Sequence, residues 1–212
     1  MPTRIKVCGV TDVGSALAAA EAGADAVGLV FVRASPRFVT TDVAWSICDV
    51  LPPFVSTVGL FVNPSADEYW ETREECPFHL GQLHGAESEP LVKECGPDVI
   101  KAVRYAPETI EADLLKWSRV EEVSAVLVDG GSGGTGETLD WKNLAAVADR
   151  CDHPIVLAGG LTPENVGEAI RTVRPYAVDV SSGVESKRGV KDPVRVAAFC
   201  AAVREADREL GG

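Results

Sequence analysis

Eight short apolar runs, each followed by a helical pattern, lie within only 212 residues and predict an α/β fold of one class, a single (β/α)8 TIM barrel. The alternation continues from one end of the chain to the other, which argues for parallel βα units. Most of the runs are apolar along their whole length, as strands buried on both faces must be. The length is close to the lower size for eight such units, so loops are short and residues 1–212 are read as one catalytic domain. An open doubly wound sheet would place a G-x-G-x-x-G turn after its first strand. Here that position reads Cys8-Gly9-Val10-Thr11.

The strands are expected near Ile5–Cys8, Ala26–Phe31, Ser56–Phe61, Phe78–Gln82, Val99–Arg104, Ser124–Val128, Ile155–Ala158 and Ala177–Val180. Helices are expected near Asp12–Ala22, Asp42–Leu51, Ala66–Glu75, Glu89–Cys95, Glu108–Val120, Trp141–Asp149, Pro163–Val173 and Pro193–Leu210. Thr11 or Asp12, Thr41, Ser65, Thr162 and Asp192 stand where an N-cap oxygen is wanted, and Pro163 and Pro193 suit the first helical position. Trp45, Trp70, Trp117 and Trp141 fall in these helices, where they are read as packing against the barrel.

A net charge of −12 opposes nucleic acid and anionic lipid as partners. No apolar run reaches the eighteen residues of a membrane span. Six cysteines without C-x-x-C or metal-ligand spacing read as free thiols in a cytoplasm, with no metal and no cofactor expected.

In a barrel the active site lies at the C-terminal ends of the strands. Read there, the chain offers Lys6-Val7-Cys8-Gly9, Ser35-Pro36-Arg37, Gln82-Leu83-His84-Gly85, Asp129, Ala158-Gly159-Gly160-Leu161 and Asp179-Val180-Ser181-Ser182-Gly183. Strand alternation points Lys6 and Cys8 to the same face, where an ammonium would favour a thiolate. An aspartate acting as an acid near neutrality needs a raised pKa, which is the expectation for Asp129. Gly159, Gly160, Ser182 and Gly183 are small enough to bring backbone N–H groups to a phosphate, with a helix N-terminus behind them. Gln82 is read as lining the pocket, and His84 as either a structural histidine or a ligand.

Taken in order, the motifs IKVCGVT, SPRFV, VGLFVN, GQLHG, DGGSGGTGETLDW, LAGGLTPENV, DVSSGVE and GVKD resemble the phosphoribosylanthranilate isomerase family over nearly the whole chain. The resemblance implies Cys8 as general base and Asp129 as general acid. It implies Arg37 on the anthranilate carboxylate and Asp179 on sugar hydroxyls of a small phosphosugar substrate, in a monomer or homodimer. The implied reaction is an Amadori rearrangement of N-(5′-phosphoribosyl)anthranilate in tryptophan biosynthesis. Two alternatives stand beside it: the sister isomerase of histidine biosynthesis, which uses two aspartates on a bisphosphate, and a non-catalytic barrel. Cys8 argues against the first, and the presence of both Cys8 and Asp129 against the second. The segment Gly130–Gly136 is left without a role.

Overall fold

The computed structural model describes residues 1–131 and 139–211; most of the Gly130–Gly136 segment therefore lies outside the described residues. Strands β1 (Arg4–Cys8), β2 (Ala26–Val30), β3 (Ser56–Phe61), β4 (Leu80–Leu83), β5 (Val99–Arg104), β6 (Val123–Asp129), β7 (Ile155–Ala158) and β8 (Ala177–Val180) close a parallel barrel in sequence order. Closure runs through β1 and β8, with Arg4 opposite Ala177 and Lys6 opposite Asp179. The helices are α1 (Val13–Glu21), α2 (Thr41–Val50), α3 (Ala66–Glu75), α4 (Glu89–Cys95), α5 (Ile110–Trp117), α6 (Trp141–Val147), α7 (Val166–Val173) and α8 (Pro193–Glu209).

Two apolar layers follow from strands buried on both faces. Inside the barrel, Val58, Ile100, Ala102, Ala125, Leu127, Val156, Ala158 and Ala177 pack together, and the alanines among them suit a narrow interior. Outside it, Ile5, Leu29, Leu83, Leu114, Leu157 and Phe199 join the larger shell between strands and helices. Each fully buried side chain of this kind contributes roughly 1.5–3 kcal/mol.

Helix starts follow local chemistry. Asp12 accepts from Ser15 N at 2.8 Å, Ser65 and Glu68 form a capping box, and Asp192 caps α8 with Pro193 in the first turn. Two expectations need correction. The cap of α2 is Thr40, one residue before Thr41. Helix α7 begins at Val166 behind Asn165, not at Thr162-Pro163, because Thr162 N donates to Asn165 Oδ1 while Asn165 Nδ2 holds the Gly160 carbonyl at 2.9 Å. Those four residues are used in a turn that fastens the loop after β7. The tryptophans divide: Trp117 is buried and Trp141 packs against the core, but Trp45 is 51% exposed, and Trp70, 37% exposed, donates to Glu94 O on α4. The placement of Trp45 against the barrel is therefore wrong.

A small antiparallel hairpin, β9 (Glu185–Lys187) with β10 (Val190–Lys191), follows β8 and was not expected. Strands of three and two residues are too short to show alternation.

Lys101 on β5 is buried and fastens the loop after β4. Its ammonium reaches Glu87 Oε2 at 2.7 Å and the carbonyls of Leu83, Gly85 and Ala102 at 2.9–3.2 Å. Glu87 in turn accepts from Gly85 N and Asn63 N. Removing one partner of a buried ion pair leaves an uncompensated charge, so Lys101→Met should cost about 3–5 kcal/mol. Urea unfolding of the variant should show the midpoint falling with little change in slope; an unchanged midpoint would refute this role.

Candidate active site

The C-terminal mouth of the barrel opens into a cavity of about 740 Å³. Cys8, Arg37, Gln82, Asp129, Gly159, Gly160, Asp179 and Ser182 all line it. Gly183 lies behind that lining, its Cα packed on the Leu161 carbonyl so closely that no Cβ would fit. The loops after β7 and β8 are thereby held together.

Cys8 ends β1 and is 5% exposed. Its partner position on β2 is Gly28, where an added Cβ would lie 2.8 Å from the Cys8 sulfur and 3.1 Å from Lys6 Nζ. Glycine there makes room for both side chains. Lys6, also buried, donates to Asp179 Oδ1 at 2.9 Å. Burial pushes the Cys8 thiol above its ordinary value, and although Lys6 and Lys191 pull it down, burial together with Asp179 wins. Lys6 favours the thiolate, as expected, but it already has a counter-ion, and in the free protein burial prevails and the sulfur keeps its proton.

Asp129 ends β6, with its side chain about one-quarter exposed. Its Oδ2 lies 3.0 Å from His84 Nε2, and Oδ1 accepts from Gly131 N at 3.0 Å. His84 Nδ1 is 2.8 Å from the amide nitrogen of Gln82, which can only donate. Nδ1 therefore accepts, Nε2 carries the hydrogen, and Asp129 receives it as a carboxylate. Burial raises the carboxyl pKa, but the hydrogen bonds from His84 and Gly131 and the nearby Arg104 guanidinium outweigh it and leave Asp129 below its ordinary value. The expected upward shift does not hold here. His84 is neither isolated nor merely structural: it joins Gln82 to Asp129.

Arg37 packs over Gly9, where a Cβ would collide with its side chain. Its guanidinium forms a two-point pair with Glu185 on β9, Nε to Oε1 at 2.6 Å and Nη2 to Oε2 at 3.0 Å. At the opposite loops, Gly159 and Gly160 have positive φ, and a 3₁₀ turn at Ser182–Val184 follows β8. Lys187 and Arg188 also line the cavity and were missed in the sequence. Only the hairpin places them there.

A thiol and a carboxylate on separate strands face one cavity at the C-terminal mouth of a (β/α)8 barrel, where barrel enzymes place their active sites. Among the described residues no group of three His, Cys, Asp or Glu side chains is placed to hold a metal ion. The family model described as N-(5′-phosphoribosyl)anthranilate (PRA) isomerase matches residues 5–202, and the chain belongs to that family. It is 47% identical over 209 residues to the N-(5′-phosphoribosyl)anthranilate isomerase of Pseudomonas fluorescens, covering 98% of each chain. The phosphoribosyl anthranilate isomerase of Thermotoga maritima superposes with a TM-score of 0.88 at 38% identity, covering 96% of this chain and 99% of that one. A phosphoribosyl anthranilate isomerase solved with reduced 1-(o-carboxyphenylamino)-1-deoxyribulose 5-phosphate gives 0.86 at 37% identity over the same shares.

The His84 hydrogen bond is the first of the contacts that lower the Asp129 pKa, so removing it leaves burial less opposed. His84→Leu should raise the carboxyl pKa. Carbon-13 NMR of the aspartate carboxyls across a pH titration should show the Asp129 resonance titrating at higher pH than in the unaltered protein. A midpoint that stays put or falls would disprove the contribution of His84.

Proposed function

We propose that this chain converts N-(5′-phosphoribosyl)anthranilate into 1-(2-carboxyphenylamino)-1-deoxyribulose 5-phosphate by an Amadori rearrangement, with Cys8 as general base and Asp129 as general acid. The observation that carries the assignment is the convergence of the Cys8 thiol and the Asp129 carboxylate on one cavity, flanked by the Arg37 guanidinium and the small-residue loops after β7 and β8. A cavity of about 740 Å³ suits a ligand of this size.

Protonation of the furanose oxygen by Asp129 lets the C1′–O bond break while the anthranilate nitrogen donates its lone pair, giving an iminium. Removal of the C2′ proton by Cys8 then gives an enolamine, and addition of a proton at C1′ with loss of the C2′ hydroxyl proton leaves the ketone. Ring opening breaks the C1′–O bond and the remaining steps move protons; C2′ is oxidised as C1′ is reduced within the same molecule, so the steps balance without an external redox partner. In the free protein the two groups hold the opposite protonation, Cys8 as thiol and Asp129 as carboxylate. The productive form differs by moving one proton from sulfur to carboxylate, with no net gain or loss. Once loaded, Asp129 is a strong acid because His84 and Gly131 stabilise the carboxylate it leaves behind. The iminium charge beside C2′ favours the thiolate at the moment it is needed.

Gln82, whose Oε1 is buried without a partner among the described residues, is assigned to a substrate donor. The second oxygen of Asp179 is assigned to sugar hydroxyls. Gly159, Gly160, Ser182 and Gly183 are assigned to the phosphate, with Lys187 and Arg188 supplying positive charge. The proposed assembly is a monomer or a homodimer; monomers made from a dimeric phosphoribosylanthranilate isomerase of Thermotoga maritima are among the similar structures. The free cysteines agree with a cytoplasmic enzyme, and no helix among the described residues is long and apolar enough to cross a membrane.

Freshly prepared phosphoribosylanthranilate should lose its fluorescence on addition of the purified protein, in step with enzyme concentration. No loss by correctly folded protein, or turnover of the bisphosphate aminoaldose of histidine synthesis instead, would reject the assignment.

A further inference from the structure

We propose that Glu185 is a positioning residue for substrate selection: it holds Arg37 in place and leaves one edge of the guanidinium facing the aryl carboxylate. The inference rests on the assignment of Arg37 to that carboxylate and adds how the arginine is presented.

Glu185 opens the β9–β10 hairpin, is 7% exposed, and has all its acceptor positions filled by donors. Oε1 receives Arg37 Nε at 2.6 Å and Lys191 Nζ at 3.0 Å; Oε2 receives Arg37 Nη2 at 3.0 Å and Gly189 N at 3.1 Å. A carboxylate has about four lone-pair sites, so this one is saturated. The Nε–Nη2 edge of Arg37 is therefore occupied, while Nη1 has no partner among the described residues and the arginine borders the cavity. A substrate carboxylate is left the Nη1–Nη2 end.

The same anchor reaches the other end of the site. Lys191 also donates to Ser181 O at 3.0 Å and Ser181 Oγ at 3.2 Å, immediately before the Ser182–Gly183 turn. The chain Arg37, Glu185, Lys191, Ser181 thus connects the position assigned to the aryl carboxylate with the loop assigned to phosphate. Glu185 fixes one anion site relative to the other. A substrate with an anionic group at the matching distance from its phosphate gains both contacts, and one without it gains only the phosphate.

Glutamine is a sharp probe because all four partners are donors. Its amide nitrogen would face either Arg37 and Lys191 or Arg37 and Gly189, losing contacts on that side. The test compares kcat/KM for phosphoribosylanthranilate with that for N-(5′-phosphoribosyl)aniline, which lacks the carboxylate, in the unaltered enzyme, Arg37→Ala and Glu185→Gln. A charge-assisted contact is worth roughly ten- to a hundred-fold, so both variants should shrink the preference for the carboxylate by about that factor. Most of the loss should lie in KM, and the aniline substrate should lose much less.

If Glu185→Gln lowers both substrates equally, or leaves the preference intact, the positioning role is wrong. If the preference rises, Glu185 competes with substrate for Arg37, which also overturns it. An Arg37→Ala variant with an unchanged preference would instead remove Arg37 from the carboxylate, and the inference would fall with it. Should Glu185→Gln not fold, Glu185→Gln combined with Lys191→Met removes the second buried charge. Any effect of Lys191 on phosphate binding cancels in the ratio, and the same outcomes decide.

Discussion

Three of the seven lysines, Lys6, Lys101 and Lys191, are buried, and the site depends on how each charge is met. Lys6 pairs with Asp179 at 2.9 Å, Lys101 with Glu87 at 2.7 Å, and Lys191 with Glu185 at 3.0 Å. Taking such ions out of water costs several kcal/mol each, which only close geometry and further hydrogen bonds offset. These pairs are therefore better understood as fixing positions than as adding stability. Lys6–Asp179 joins β1 to β8 beneath Cys8, Lys101–Glu87 fastens the loop that carries His84, and Lys191–Glu185 anchors Arg37.

The same pairing explains the protonation states. A lysine whose charge is already balanced lowers a neighbouring thiol pKa less than a bare ammonium would, so burial decides the state of Cys8. Asp129 is in the reverse position, partly open to the cavity and held as a carboxylate by His84 and Gly131. Because the productive form has the same total number of protons as the resting form, its share stays constant at any pH between the two pKa values. It falls as pH drops below that of Asp129, where Cys8 would have to ionise beside an already protonated acid. It falls again as pH rises above that of Cys8, where the proton needed on Asp129 has left the pair. With one value below its ordinary range and the other above, kcat/KM is expected to be flat through neutrality.

Much of the fold was legible because the barrel is built from local patterns. The apolar runs of β3, β5, β7 and β8 were bounded by residues that do not continue a strand, and their limits coincide with the observed ones. The start of α7 was not legible, since Thr162-Pro163 looks like a helix start unless the turn made by Asn165 is known. The positions of Cys8, Gln82, Asp129 and Asp179 at one cavity followed from strand ends, and that of Arg37 from the family resemblance. Their partners did not. Glu185 lies 148 residues from Arg37, and Asp129 lies 45 from His84, so nothing local joins them. The missing charge partners also explain why the low pKa of Asp129 and the net rise at Cys8 could not be read from the sequence.

In the proposed reaction Cys8 takes the C2′ proton while Asp129 serves the ring oxygen. The most direct measurement is the deuterium isotope effect on kcat with substrate labelled at C2′, made on Cys8→Ala and Asp129→Asn proteins with unchanged circular dichroism. Both variants should lose turnover by roughly 10²–10⁴-fold. In Cys8→Ala, proton removal becomes limiting and a large isotope effect should appear; in Asp129→Asn, ring opening limits and the effect should stay small. Near-full activity in Cys8→Ala, or the two isotope effects reversed, would contradict the account.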